Sequence, residues 1–443
     1  MPVIVVAFQL FRKIKSCDIL VAKGSHMPSL SRRNFVFSTA AISAAPLTGL
    51  ANAAQGEASE LKQMALPPPI GRPERVQRIA RAQALMQRNN IAAVLIESGP
   101  SLDYFTGIQW WRSERLTGVV IPATGEPIIV TPFFERPSIA EQLGIPAEIR
   151  TWNEDQEPLK LVADFLGSRR ASAGRIGMEE TNRFFLVDRL RQQMPRAAIV
   201  SANPVVRAVR MRKTATELAL MQAASDITIA AFRHTWPRVR EGMTKDDIDA
   251  IIGAATRALG GGYDGGLVLV GEATAYPHGT RQVQLVARGS NVLFDCGCDV
   301  HGYQSDISRS FVWGANPTPE QRKVWDQMAR GQQIAMKAAK LGAPAGSVDD
   351  AVRAAYTQWG YGPGYKLPGL SHRTGHGIGM EGHEPVNLVH GETTPLAVGM
   401  CFSNEPGIYI PGKFGIRLED CFHMTSAGPK YFSQPPRSID QPV

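Results

Sequence analysis

Residues 372–383, with the sequence HRTGHGIGMEGH, constrain this chain more than any other stretch. Three histidines stand there at positions i, i+4 and i+11, with four glycines between them. Glycine has no Cβ, so such a backbone can lie at very short range from another group. Acidic residues follow apolar runs on both sides, at Asp295 and Asp306 before the segment and at Glu405 and Glu419 after it. We therefore expect a site that gathers imidazole and carboxylate groups.

The net charge of +8 on the 443 residues does not indicate a nucleic-acid partner. Residues 1–54 hold six Lys and Arg against Asp18 alone, which leaves only +3 for the rest of the chain. Nucleic-acid-binding domains carry a concentrated basic patch instead. The length allows two or three domains, each with its own core.

The first 54 residues read as a leader. Residues 31–37, SRRNFVF, contain a twin arginine, and a short apolar run and Ala51-Asn52-Ala53 follow. This is the layout of a Tat export signal with an A-x-A cleavage site. Gly24-Ser25-His26-Met27 resembles a vector remnant, so we interpret residues 1–27 as an expression leader and expect a periplasmic or exported protein. The apolar run is too short to span a bilayer, and we expect no integral membrane segment.

The chain after the leader divides into a linker and two domains. Residues 55–73 are polar and then proline-rich, as in a linker. Residues 74–210 alternate helical and strand patterns, which predicts an α/β domain with a mostly parallel sheet. Its predicted helices are 75–89, 157–167 and 184–194, and its predicted strands are 91–98, 116–122, 126–133 and 197–201.

Residues 211–443 form the second predicted domain. Long helical patterns cover 214–236 and begin again at Thr244. Thr318, with proline next and Gln321 at the capping-box position, begins a third helix that runs to about residue 340. A shorter helix begins at Ser347, and strands and loops follow from residue 362. Four cysteines show no zinc-ribbon spacing, and we interpret them as small buried apolar residues: Cys296, Cys298, Cys401 and Cys421.

The acidic residues predict a metal site. Gly297 and Gly302 suit a hairpin that would bring Asp295 and Asp306 to one face of a sheet. A buried ionised carboxylate is costly unless it is paired or bound to metal. With His376, the four carboxylates carry a formal charge of −4, which two divalent cations would neutralise. Oxygen and nitrogen donors suit Mn²⁺, Co²⁺, Zn²⁺ or Fe²⁺.

A pair of such ions predicts hydrolysis. Two ions about 3.5–4 Å apart can share a bridging hydroxide as nucleophile and polarise a scissile carbonyl. His278 and His383 are candidates for binding the substrate and handling the tetrahedral intermediate. Glu405 is the candidate for accepting the proton of the nucleophile.

These motifs resemble metallopeptidase family M24, which includes creatinase, prolidase and aminopeptidase P. The resemblance rests on the segments RTGHGIG, EPGIYI and GIRLED, on YFTGI at 104–108, and on five residues in order: Asp295, Asp306, His376, Glu405 and Glu419. It covers residues 75–430. It implies an α/β N-terminal domain followed by an α+β pita-bread catalytic domain.

The resemblance also implies roles. Asp295 resembles the ligand of one metal ion, His376 and Glu405 resemble those of the other, and Asp306 and Glu419 resemble the bridging carboxylates. Further positions match active-site or supporting residues of the Xaa-Pro peptidase branch: His278, His372, His383, Tyr409 and Arg417. The branch implies two divalent ions per chain, manganese first, and a small peptide substrate. It further implies a homodimer whose N-terminal loops, here Trp110, Trp111 and Arg112, wall off the partner's cleft.

Hydrolysis of Xaa-Pro peptide bonds is the function that we expect, by a dipeptidase or an aminopeptidase. One alternative is a dimethylsulfoniopropionate lyase of this fold, although the place of that branch's further acidic ligand, two residues after the first aspartate, is Gly297. A second alternative is a non-catalytic binding module. Plainer readings also stand: Arg417 as an ion-pair partner of Glu419 or Asp420, and the tryptophans as core or dimer contacts. For the remaining histidines they are His301 at a hairpin tip, His372 as a hydrogen-bond donor behind the metal ligands, and His390 in a surface loop.

Overall fold

The computed structural model describes residues 58–443 of the protein. The twin-arginine segment and the rest of the leader lie outside these residues, so the leader stays a prediction. The described residues belong to one compact unit. None of their helices has both the length and the apolar character that a membrane crossing requires.

Residues 93–201 contain a six-stranded sheet with the strand order β4-β3-β2-β1-β5-β6. The strands are β1 (Ala93–Glu97), β2 (Gly118–Pro122), β3 (Ile128–Pro132), β4 (Glu148–Trp152), β5 (Arg175–Met178) and β6 (Ala198–Ser201). The β1–β5, β5–β6 and β3–β4 pairings are parallel, whereas β2 is antiparallel to both of its neighbours. The α/β sheet that we predicted is therefore present, with an antiparallel hairpin within it.

Strands β4 and β5 were missing from the sequence prediction. β4 lies at an edge of the sheet, and only Trp152 among its residues is buried. β5 has only four residues, one of them Gly177. Short or exposed strands give a weak apolar pattern, which explains both omissions. Six helices accompany this sheet: α1 (Arg72–Arg88), α2 (Pro100–Thr106), α3 (Arg136–Gln142), α4 (Pro158–Ser168), α5 (Phe184–Gln193) and α6 (Val206–Arg210).

Three long helices of the second half each begin at a threonine that caps the helix. They are α7 (Ala215–Thr235), α8 (Lys245–Leu259) and α9 (Pro319–Ala338), and α10 (Gly346–Gln358) follows them. Thr214, Thr244 and Thr318 each accept a hydrogen bond from the backbone three residues on, in complete capping boxes. The predicted starts at Thr244 and Thr318 are confirmed.

Strands of the second half fall into small antiparallel sheets. A three-stranded sheet has the order β11-β8-β7, a five-stranded sheet has the order β13-β12-β14-β17-β18, and β9–β10 and β15–β16 are separate pairs. Their bounds are β7 (Leu267–Val270), β8 (Asn291–Cys296), β9 (Asp299–Val300), β10 (Tyr303–Gln304), β11 (Ile307–Val312), β12 (Gly375–Gly377), β13 (Glu384–Leu388), β14 (Cys401–Asn404), β15 (Gly407–Ile410), β16 (Phe414–Arg417), β17 (Asp420–Thr425) and β18 (Gly428–Tyr431).

Apolar packing fixes the strands that carry the acidic residues. Phe232 of α7 packs on Phe294 of β8 with ring centroids 5.3 Å apart, within a cluster that includes residues of α8 and β11. A second cluster joins α9 and α10 to Phe402 of β14 and Phe422 of β17. The four cysteines are buried and free, as predicted.

Buried charges join the two halves of the chain. Arg78 of α1 is fully buried and lies 3.5 Å from Glu217 of α7, and it donates to the Tyr303 hydroxyl at 2.9 Å. Tyr303 in turn donates to Glu217 at 2.9 Å. These contacts join α1, in the first half of the chain, to α7 and β10 in the second half. The domain bounds of 74–210 and 211–443 remain a prediction.

Gly297 provides a test of the hairpin that joins β8 to β11. A Cβ at this position would collide with the carbonyl oxygen of Ser305. We expect Gly297→Ala to lower the free energy of unfolding by about 2–3 kcal/mol, since the backbone must shift to accept the methyl group. Urea unfolding followed by circular dichroism measures this.

The matched control is Gly167→Ala in α4, where the nearest other atom would be the Ser172 hydroxyl at 3.4 Å. Alanine there should leave stability unchanged or raise it by up to about 1 kcal/mol. Equal effects of the two substitutions would contradict the close approach at Gly297.

Candidate metal centre

Five side chains predicted from the sequence line one cavity of about 500 Å³. Asp295 belongs to β8, Asp306 precedes β11, and His376 belongs to β12. Glu405 directly follows β14, and Glu419 lies between β16 and β17. Each acidic residue therefore stands in or beside a strand that apolar packing holds in place.

The register of β8 and β11 sets the two aspartates side by side. Asp295 is paired with Ser308 across the two strands, and Asp306 stands two residues before Ser308. Residues two apart on a strand share a face, so both carboxylates lie on the same face. The β8–β11 hairpin that we predicted from Gly297 and Gly302 is present, with the short β9–β10 pair in its connection.

Ser308 joins a third carboxylate to this pair. Its backbone exchanges hydrogen bonds with Glu419, both at 3.2 Å. Its hydroxyl lies 2.8 Å from an oxygen of Asp295 and 2.8 Å from an oxygen of Glu419. One hydroxyl has one proton, so it satisfies one of the two carboxylates at a time. Sequence reasoning missed Ser308, although its position two residues after Asp306 was a signal.

His376 presents a lone pair to the carboxylates. Its Nδ1 lies 3.1 Å from the carbonyl oxygen of Gly377, which assigns the proton to Nδ1. Its Nε2 lies 3.6 Å from Asp306, 3.4 Å from Glu405 and 4.0 Å from Glu419. Burial, together with nearby His383, lowers the pKa of His376 to about 3, so the ring is neutral at neutral pH. A neutral nitrogen and carboxylate oxygens thus face the same space.

The potential ligand atoms form three sets, and within each set all atoms lie within 4.8 Å of one another. Asp295, Asp306 and Glu419 form one set, and His376, Glu405 and Glu419 form another. The third set joins Asp306 and His376 to His383. Asp306, His376 and Glu419 therefore each belong to two sets.

Crowding raises the proton affinity of the carboxylates. Burial first, and then the neighbouring acids, raise the pKa of Asp306 and of Glu419 well above their usual values. Burial, with a smaller contribution from Asp295, raises the pKa of Glu405 to about 7. Glu419 Oε1 is buried and has no hydrogen-bond partner among the described residues. An orphaned carboxylate oxygen beside an imidazole lone pair fits a bound cation.

Arg417 has a different partner from those that the plainer reading named. It is buried and forms its ion pair with Asp295, and its Nε donates to the Ser308 hydroxyl at 3.1 Å. The alternative reading, in which Arg417 pairs with Glu419 or Asp420, is therefore wrong. Successive residues of a strand point to opposite sides, so Asp420 at the start of β17 faces away from the cavity and pairs with Arg309 at 2.7 Å.

Tyr409 lies behind the cavity and links Arg417 to His372. Arg417 Nη1 donates to the Tyr409 hydroxyl at 2.9 Å, and that hydroxyl lies 2.7 Å from His372 Nε2. His372 Nδ1 lies 2.7 Å from the carbonyl oxygen of Arg373, so Nδ1 carries the proton and Tyr409 donates to Nε2. Burial raises the pKa of Tyr409 to about 12, which keeps its proton in place.

The cavity also brings together the other histidines of the predicted site. His278, His372 and His383 all line it. The ring of His383 lies 4.0 Å from that of His376, centroid to centroid, and Arg373 Nη2 lies 3.1 Å from His383 Nδ1. Sequence reasoning gave no role to Arg373, whose only signal was its place between two of the histidines.

Other predicted residues lie elsewhere. Trp110 and Trp111 stack with ring centroids 5.1 Å apart, and Trp111 is 73% exposed. Arg112 pairs with Glu97 at 3.1 Å. None of the three lines the cavity of about 500 Å³ that holds the five side chains. As expected for loop residues, His301 lies at the β9–β10 turn, and the exposed ring of His390 lies beside Asp350.

Glu419→Gln should change stability in opposite directions without and with metal. The folded-state pKa of Glu419 lies above its unfolded value, so its favourable contribution is complete below the unfolded pKa and disappears as the pH rises through the folded pKa. In EDTA, we therefore expect the stability of the variant relative to wild type to increase between pH 5 and pH 8. With saturating Mn²⁺ at pH 8, wild type should be the more stable protein.

Thermal unfolding of both proteins measures these differences. The control is Glu320→Gln, which removes an exposed carboxylate paired with Lys413 at 2.9 Å and should respond to neither pH nor Mn²⁺ in this way. Equal stabilisation of Glu419→Gln and wild type by Mn²⁺ would contradict a metal ligand at Glu419.

Two family sequence models match this chain. Residues 78–212 match the creatinase/prolidase N-terminal domain, and residues 219–426 match metallopeptidase family M24. The Xaa-Pro dipeptidase of Lactobacillus helveticus is 30% identical over 371 residues, which cover 81% of this chain and 97% of that protein.

Solved structures show the same fold. The dipeptidase PepE from Mycobacterium ulcerans superimposes with a TM-score of 0.76 and 29% identity, over 84% of this chain and 98% of that one. The X-Pro aminopeptidase from Thermotoga maritima gives a TM-score of 0.71 and 26% identity, over 82% and 98%. The creatinase-type N-terminal domain and the pita-bread catalytic domain that the sequence predicted are therefore confirmed. This chain belongs to metallopeptidase family M24.

Proposed function

We propose that this protein hydrolyses Xaa-Pro peptide bonds, in dipeptides or at the amino terminus of longer peptides. The observation that carries the proposal is that two sets of ligand atoms share Glu419 beside one cavity. The relatives support the substrate class, since they are named Xaa-Pro dipeptidase, dipeptidase and X-Pro aminopeptidase. Both kinds of peptidase occur among them, so both remain candidates.

Family M24 uses divalent metal ions, and this chain has the residues to hold them. We assign Asp295, Asp306 and Glu419 to one ion, and His376, Glu405, Asp306 and Glu419 to the other. Manganese is our first choice, with zinc, cobalt and iron as alternatives that the same donors accept. Bound there, the ions would act as Lewis acids and lower the pKa of water.

The side chains of the chain supply the proton transfers and the binding. Glu405 lines the cavity beside His376, and we assign it the role of accepting the proton of the attacking water. Arg373 donates to His383 Nδ1 at 3.1 Å, which leaves the proton of His383 on Nε2 as a donor for the substrate carbonyl. His278 binds the substrate from the same cavity. Arg417 orients Asp295 from the wall of the cavity, and Tyr409 orients His372 from behind it.

The lyase alternative lacks room for its further ligand. Gly297 stands where that branch has an acidic residue, and any Cβ there would collide with the Ser305 carbonyl. The binding-module alternative is less favoured, because all five candidate ligands are present and converge. Both alternatives remain outcomes of the assays.

The direct assay is release of proline from Ala-Pro, with Ala-Pro-Ala as the longer substrate and Pro-Ala as the negative control. We expect hydrolysis by the mature protein loaded with Mn²⁺, Co²⁺ or Zn²⁺. We expect His376→Ala to lose at least about 100-fold in kcat/KM, since even supporting residues of metal sites cost 10–100-fold. Amino-acid analysis or chromatography measures the product.

No product with any of the three metals would overturn the proposal. Release of dimethyl sulfide from dimethylsulfoniopropionate would favour the lyase. Fewer than one tightly held ion per chain, by elemental analysis, would favour the binding module, whereas our account expects about two.

We also propose a homodimer and export through the twin-arginine pathway. Residues 28–54 fused to a folded reporter protein should carry it to the periplasm, because this pathway reads the paired arginines. Replacing Arg32 and Arg33 by lysine should retain the reporter in the cytoplasm. Retention of the unchanged fusion in the cytoplasm would contradict the proposed export. The proposed homodimer is tested separately, by size-exclusion chromatography with light scattering.

A further inference from the structure

Glu384, the residue after His383, lies in a cluster of buried charges beside the cavity. One carboxylate oxygen accepts from Arg210 Nη2 at 2.6 Å, and the other accepts from Lys213 Nζ at 2.9 Å. The three side chains are 4%, 9% and 3% exposed. Although burial alone would raise it, the charges of Lys213 and Arg210 lower the pKa of Glu384 to about 2, so the carboxylate is charged.

The same carboxylate closes the turn that carries His383. Besides its cationic partners, it accepts from the backbone N–H of Met380 at 2.9 Å and of Glu381 at 3.3 Å. Residues 380–384 are therefore drawn around the Glu384 side chain. His383 lies within this turn, directly before Glu384, and lines the cavity.

Gly379 is one of the four glycines in the segment 372–383, and the charged cluster accounts for it. A Cβ there would lie 2.7 Å from Lys213 Cε and 2.8 Å from either oxygen of Glu384. A side chain at this position would therefore displace the Lys213–Glu384 ion pair. The glycine thus lets the segment pack directly on the cluster.

Arg210 extends the cluster to the first half of the chain. Its Nη1 donates to the hydroxyl of Ser101 in α2 at 2.7 Å, and its Nη2 also lies 2.8 Å from Glu381. Arg210 itself ends α6. One guanidinium therefore joins α2, α6 and the turn that holds His383.

We propose that Arg210 is a positioning residue for His383, acting through its ion pairs with Glu384 and Glu381. This inference rests on the proposed hydrolase function. Buried ion pairs contribute little net stability compared with apolar residues of similar size, whereas their directed hydrogen bonds fix geometry. The planar guanidinium holds Ser101 through Nη1 and Glu381 and Glu384 through Nη2, whereas the single nitrogen of a lysine lacks these two separate, fixed donor positions.

A double-mutant cycle with Arg210→Lys and His383→Ala tests the proposal. The lysine keeps the positive charge but loses the fixed donor directions. In the Mn²⁺-loaded protein, we expect Arg210→Lys to lower kcat for Ala-Pro about 10–100-fold while KM and metal content change little. In the His383→Ala background, the same substitution should change kcat by less than about 2-fold, because the residue through which it acts is absent.

Arg207→Lys is the matched control. Arg207 lies on the same helix, is 38% exposed and pairs with Glu180 at 2.8 Å between Nε and Oε1. It should leave kcat within about 2-fold of wild type in both backgrounds. An equal loss from Arg210→Lys with and without His383, or no loss at all, would overturn the proposal.

Glu381→Gln serves if Arg210→Lys does not fold. It leaves Arg210 paired with Glu384, so we expect a smaller loss of kcat. This loss should again vanish in the His383→Ala background, and an additive loss overturns the proposal.

A second readout does not depend on enzymatic activity. This readout is the NMR spectrum of protein labelled with ¹³C-histidine. The His383 signal is the one that is absent in His383→Ala. It should shift in Arg210→Lys and not in Arg207→Lys. An unshifted signal overturns the positioning role even if wild type hydrolyses Ala-Pro, and absence of hydrolysis alone overturns only the proposed function.

Discussion

Four carboxylates share one cavity, and their mutual repulsion is the constraint on which the rest of this site depends. Asp295 has an ion pair with Arg417, but one guanidinium cannot neutralise Asp306, Glu405 and Glu419 as well. The protein can relieve the remaining charge by taking up protons or by binding cations. The raised pKa values of Glu405 and Glu419 describe the first response. The neutral lone pair of His376 in the same space favours the second.

The fold supplies the rigidity that holds these charges together. Each acidic residue stands in or beside a strand whose other residues pack into an apolar cluster. Ser308 sits at the centre, where it bridges β8 to Glu419 through its backbone and its hydroxyl. Strands that are fixed by packing cannot move apart to reduce the repulsion. The folded protein therefore keeps the carboxylates close together, and their concentrated negative charge favours the binding of cations.

The sequence predicted features that depend on local chemistry. Capping threonines located the starts of α8 and α9, and two glycines between Asp295 and Asp306 indicated the hairpin. The five candidate metal ligands in the cavity were identified from their motifs, because a carboxylate that follows a buried apolar run is costly unless a cation or a hydrogen-bond donor accompanies it.

Features that depend on contacts between distant segments were not predictable. The partner of Arg417 is Asp295, which lies 122 residues away in the sequence, and nothing local distinguishes it from the nearer Glu419. The ion pairs of Glu384 with Arg210 and Lys213 span more than 170 residues. Strand β4 was missed because its exposed residues lack an apolar pattern. In each case, tertiary packing decides among choices that the local sequence leaves open.

Anomalous X-ray diffraction from crystals grown with Mn²⁺ tests the central claim most directly. Our account predicts two anomalous peaks in the cavity, about 3.5–4 Å apart, with Asp306 and Glu419 in contact with both. An absence of peaks among these side chains at saturating Mn²⁺, or peaks bound only by other residues, would contradict it.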